Sequence, residues 1–161
     1  MDAQATDALR RLLREQDVAA LGTLRRDEPF VSMVPFAVLA DGALVIHVSR
    51  LATHTRDMEE HPGVSVLVVA TRSIDVPAQA LARATLQANA QPCPPGDPQY
   101  ADARAAYLAR FPDCEMMFGF ADFSLFRLVP RSVRFVGGFA QATSITGDTY
   151  AQLMSSAPTA P

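Results

Sequence analysis

The chain has 161 residues, 49% apolar and 19% charged, which suits one domain with a substantial core; its net charge of -3 excludes a broad basic, phosphate-binding surface. No run of about 18 apolar residues occurs, and the opening MDAQATDALRRLLREQD lacks the apolar centre of a secretory signal. A cytoplasmic protein with no membrane or nucleic-acid partner is expected, its Cys93 and Cys114 reduced, since they lie far apart without CxxC spacing.

Ala8, Leu9, Leu12 and Leu13 fall at helical spacing among charged residues, so a short amphipathic helix is expected over 7–16, capped by Thr6 or Asp7. Val18 to Leu24 is a β run, the polar stretch 25–28 reverses it, and 30–34 returns as a second arm. That arm runs on through Pro35 to Leu39, with an edge, bulge or bend at the proline. Asp41-Gly42 is the strongest hairpin signal, and 43–48 forms the next strand. Residues 49–60 change towards a helix that His61-Pro62-Gly63 stops.

Strands are expected at 64–70 and 81–90, a loop at 91–98, and a packing helix from Asp97-Pro98 to about Arg110 with Ala103, Ala106 and Tyr107 on one stripe. Two late strands, 123–129 and 132–136, end at Gly137-Gly138, and a plain turn or a close approach to a flat ligand both suit Gly137-Gly138-Phe139. The tail 155–161 has a disordered composition, leaving 1–154 as the domain. Many strands with hairpin turns and few helices favour a closed or partly closed antiparallel barrel.

Ser49, Arg50, Thr53, His54, Thr55 and Arg56 gather hydroxyls and cations where a strand meets a helix start, a setting that attracts a phosphate. The same residues also suit a plain helix cap with solvated charges. His47, His54 and His61 recur at a spacing of seven that is poor for metal ligation, and His47 reads as a packed strand residue. Asp113, Glu115 and Asp122 read as solvated charges, and no local Ser-His-Asp or Cys-His arrangement points to hydrolysis.

Together, Leu21-Gly22-Thr23-Leu24, Pro29 to Pro35, Ser49 with His54-Thr55-Arg56-Asp57-Met58, and His61 to Val68 resemble the pyridoxamine 5'-phosphate oxidase-like split-barrel family. Tyr107 to Pro112, Asp122 to Leu128 and Arg134 to Ala140 make the chain similar to its haem-utilisation flavoprotein branch. The resemblance implies a mainly β fold, a six-stranded antiparallel split barrel with flanking helices, paired as a homodimer with FMN at the interface. It implies Ser32, Met33 and Val34 along the isoalloxazine and ribityl chain, Val48 and Ser49 beside them, Thr55 and Arg56 on the phosphate, and Arg83 reaching the flavin from the other subunit. Ser32 stands where the oxidase proper carries an arginine, and that enzyme's C-terminal Trp and Arg signatures are missing after Gly138. No histidine follows His61, whereas haem-degrading relatives ligate iron from a C-terminal extension. The expected function is an FMN-dependent oxidoreductase of an unidentified small molecule. A non-catalytic flavin or haem binding protein and a haem-degrading enzyme stand as alternatives.

Overall fold

A computed structural model describes residues 1–138 and 141–156. Phe139 of the glycine turn and residues 157–161 of the expected tail lie outside the described residues. The elements in chain order are α1 (Ala3–Glu15), β1 (Val18–Arg25), β2 (Glu28–Pro35), β3 (Ala37–Val38), β4 (Leu44–Ser49), α2 (Thr53–Glu60), β5 (Gly63–Val69), β6 (Arg83–Pro92), α3 (Tyr100–Arg110), β7 (Phe123–Val136), β8 (Ala142–Thr146) and α4 (Gly147–Ser155). Short 3-10 segments occupy Ala78–Ala80 and Pro112–Gly119.

The strands form one antiparallel sheet in the order β2-β1-β5-β6-β7-β4-β3, with β8 paired to β7. The sheet curls until β2 and β4 approach each other without sharing a ladder, which is the split of the barrel. Six strands were expected; among the described residues there are eight, because a two-residue strand separates after Pro35 and β8 follows the glycine turn.

Inward residues of alternate positions, among them Leu21, Val34, Ile46, Val66, Leu86, Phe126 and Val133, meet Leu9, Leu12 and Leu13 of α1 in the main core. Burying each such side chain contributes about 1.5–3 kcal/mol, so the helix that starts the chain is part of the barrel's filling. A smaller cluster, Ala37, Val45, Cys93, Ala103, Tyr107 and Leu125, lies on the other side of β4 and β7 under α3. Arg110 ends α3 and donates to the carbonyls of Leu13, Arg14 and Gln16, satisfying the last turn of α1 while its guanidinium covers the Phe36 ring.

Several local readings shift for physical reasons. Arg26 and Asp27 both take positive φ, the mirror-image turn that suits the twist of a tight hairpin. The two late strands are one: β7 runs through Pro130, and a register shift opposite Gln87 and Ala88 absorbs the residue that has no place in the ladder. Asp97 accepts from the Gln99 backbone N–H rather than capping the helix directly, so α3 starts at Tyr100. The approach of Gly147 to the backbone of Pro130, where a Cβ would meet the carbonyl oxygen at 2.1 Å, lets α4 leave β8 close against β7.

Candidate functional site

The turn from β4 into α2 was the expected anion site. Two of its hydroxyls, those of Ser49 and Thr55, are committed to the protein. Ser49 donates to Asp122 Oδ2 at 3.1 Å and accepts from the Leu51 N–H at 3.1 Å. Thr55 is fully buried, and its hydroxyl donates to the Ser49 carbonyl at 2.7 Å. These bonds fix the turn, and they involve Asp122, whose carboxylate is therefore a structural partner and not a solvated charge. Arg56 is exposed, with one nitrogen 3.3 Å from the Leu51 carbonyl.

Strand alternation separates the three residues of β2. Met33 projects outward at 64% exposure, Val34 is buried in the main core, and Ser32 turns under α2, its hydroxyl 3.2 Å from His54 Nδ1. Val48 also belongs to the core. Beneath the same helix Thr23 Oγ1 donates to Asp57 Oδ2 at 2.8 Å. Burial lowers the His54 pKa, with the nearby Asp57 carboxylate opposing the shift, and among the described residues the buried His54 Nε2 has no hydrogen-bond partner.

Arg83 sits elsewhere, on the outer face of the sheet. It donates to the carbonyls of Gln79 and Leu81 and lines a cleft of about 360 Å³ with Thr85, Arg134 and Val136. The registers place an unbroken cross-strand row on that face: Met33, Ala20, Leu67, Thr85, Arg134. Beside it Val69 faces Arg83, and Val31 and Val18 extend the apolar part, Val31 at 67% exposure. The outer face is thus apolar across β2, β1 and β5 and becomes cationic over the next two strands, at Arg83 of β6 and Arg134 of β7, about 5 and 10 Å on at the usual strand spacing. Met33 and Arg83, both named from the sequence, lie on this face, but its apolar extent and Arg134 were missed. The signal was present in β5, whose Val64, Val66 and Val68 point inward while Leu67 and Val69 point outward, and a strand apolar on both sides is one built to be covered on both.

The curled sheet, the split between β2 and β4 and the polar seam under α2 define a protein of the pyridoxamine 5'-phosphate oxidase-like split-barrel class. The chain belongs to the family described as CREG, beta-barrel, whose model matches residues 2–152. It is 38% identical over 120 residues to the chloroplastic haem oxygenase HOZ of Arabidopsis thaliana, covering 74% of this chain and 35% of that protein. It is 30% identical over 137 residues to the haem oxygenase HutZ of Vibrio cholerae, covering 84% and 77%. Among solved structures, a haem binding protein from Mycobacterium smegmatis superposes with a TM-score of 0.83 at 33% identity, covering 92% of this chain and 60% of that one. The chain therefore spans about a third of HOZ and three fifths of the mycobacterial protein.

These matches correct the cofactor expectation. The relatives are haem-binding or haem-oxygenase-like proteins, which points to haem rather than FMN. The structure supplies a physical reason for the miss: Thr55 is sealed inside and the Ser49 hydroxyl is already paired, so neither of these two hydroxyls is offered to a phosphate. No helix is long and apolar enough to cross a membrane among the described residues.

Proposed function

We propose that the chain is a haem-binding protein that works as a homodimer, using the outer face of β2, β1 and β5 for the porphyrin and Arg83 with Arg134 for its propionates. The observation that carries this reading is the row from Met33 to Arg134, apolar at one end and cationic at the other. A porphyrin has the same polarity, a flat apolar ring with carboxylates along one edge, and guanidinium groups bind carboxylates through paired hydrogen bonds. Contiguous exposed apolar side chains on a sheet face mark an interaction surface, and a second copy would cover what the ring leaves open. The names of the relatives agree with this ligand.

His54 lies under α2 with Ser32, on the face of β2 opposite to Met33, and takes no part in this seat. Bound haem supplies redox-active iron; the chain's part is to seat the ring, pair its carboxylates and exclude water from it. Haemin titrated into the purified protein should give a saturable Soret shift, and sedimentation should show a dimer. Arg83→Ala with Arg134→Ala should weaken haem binding at least tenfold. A protein that leaves the haemin spectrum unchanged ends this reading. Haem oxygenase chemistry is the second reading, favoured by the two relatives so named; adding a reductant to the complex in air, with dioxygen as the oxidant, should then bleach the Soret band, and a haem spectrum that persists decides for binding alone.

A further inference from the structure

On the other side of β4, under α3 and the 3-10 segment Pro112–Gly119, lies a second cleft of about 410 Å³. It shares no lining residue with the outer face described above. Its walls are aromatic and prolyl, with Tyr100, Phe118, Phe120 and Phe123 most prominent, and Arg50 and Glu59 stand at it with opposite charges.

His47 is the most buried polar residue of its lining. Its side chain lines the cleft at 7% residue exposure, stacked on Phe118 with ring centroids 3.9 Å apart and planes 6° from parallel, while Phe123 lies tilted at 5.2 Å. Among the described residues nothing hydrogen-bonds the imidazole. Although the residue as a whole is buried, its ring nitrogens are not sealed off, so they can bond a molecule seated in the cleft. Desolvation holds this ring neutral, with a pKa lowered to about 4, so at ordinary pH it offers one N–H donor and one acceptor nitrogen and carries no charge.

We propose that this cleft is a second small-molecule site, one that takes a planar, uncharged aromatic compound of one or two rings whose polar edge hydrogen-bonds His47. The volume falls at the lower end of small-molecule sites, roughly 300–1,000 Å³, which favours a small ring system over a porphyrin. The aromatic walls favour a flat ring by offset stacking and edge contact. The opposite charges of Arg50 and Glu59, both in the lining, give neither an anion nor a cation a net advantage.

The test uses the whole chain, labelled at histidine nitrogen, with 2-naphthol as probe and naphthalene as the same shape without a polar edge. Saturable binding of 2-naphthol should move the His47 ring resonances, and naphthalene should bind at least fivefold more weakly. His47→Leu should bring the two probes to equal affinity while haemin binding stays at the wild-type level. Absence of saturable naphthol binding overturns the site, as does equal affinity of the two probes for the wild-type protein or a response confined to His54 and His61. The haemin titration is read separately, so failure of the haem reading leaves this result interpretable.

Discussion

Thr23 Oγ1 donates to Asp57 Oδ2 at 2.8 Å where both side chains are buried, tying the first strand to the helix that crosses the open end of the barrel. The bond matters because Asp57 sits one turn after His54, so the seating of α2 also sets where His54 meets Ser32. Thr23→Val keeps the shape and removes the donor. A buried carboxylate then loses a charge-assisted bond, and the expected cost is about 1.5–3 kcal/mol, read as a lower urea midpoint at unchanged slope. Pairing it with Asp57→Asn in a double-mutant cycle should return a coupling energy well above zero; additive losses would show that the two side chains act independently.

The hairpins and the first helix were legible because each announces itself within a few residues: Leu9, Leu12 and Leu13 by spacing, Asp41-Gly42 by turn chemistry, and the run 63–69 by its apolar density. What was hidden depends on contacts between distant segments. Nothing local in Gly147 to Ser155 says that Tyr150 will be fully buried with its hydroxyl on the Gly42 carbonyl, 108 residues away, so β8 and α4 passed unseen. The site was half legible for the same reason. Its hydroxyl and cation cluster is a run of neighbours, but the carbonyl that takes up Thr55, and the carboxylate that takes up Ser49, only appear once the chain has turned.

Gly42 shows how tightly the hidden helix is fitted. Its φ of +85° is one that side chains resist, and a Cβ there would stand 2.6 Å from Tyr150 Cε1 and 2.9 Å from Met154 Cγ. Gly42→Ala combines the conformational cost, roughly 1–2 kcal/mol, with overpacking of roughly 1–3 kcal/mol. At about 2–4 °C per kcal/mol for a domain of this size, the melting temperature should fall by at least about 4 °C. A melting temperature within about 1 °C of wild type would mean that α4 does not rest on this turn in solution.

Arg10 closes the molecule at its other end. From α1 it donates to the carbonyls of Leu153 and Ser156, the latter at 2.7 Å, so a buried cation meets the carbonyl end of α4. Hydrogen bonding and the helix dipole act in the same direction here. Arg10→Met keeps most of the apolar stem and removes the charge, and should cost about 1–3 kcal/mol, concentrated in faster amide exchange along Gly147–Ser155. Uniform loss of protection across the barrel would instead make Arg10 a general core residue rather than the anchor of one helix.

The imidazole of His47 gives the fold a dependence on pH whose sign is fixed by its surroundings. Burial among Phe118, Phe123 and Tyr107 lowers its pKa to about 4, whereas in the unfolded chain it titrates near 6.5. Between those values the unfolded chain binds a proton that the folded protein refuses, so stability contributed by this group is complete above about pH 6.5 and is lost as the pH falls towards 4. The difference of 2.5 pH units corresponds to about 3 kcal/mol at the acid end of that window. His54, whose pKa burial also lowers, adds to the loss in the same direction. His47→Gln cannot take up a proton, so urea unfolding at about pH 7 and about pH 4.5 should show a smaller acid loss for the variant than for the wild type. Equal losses would mean that the wild-type ring is already protonated in the fold at the lower pH, and that the aromatic cleft is open enough to hydrate it.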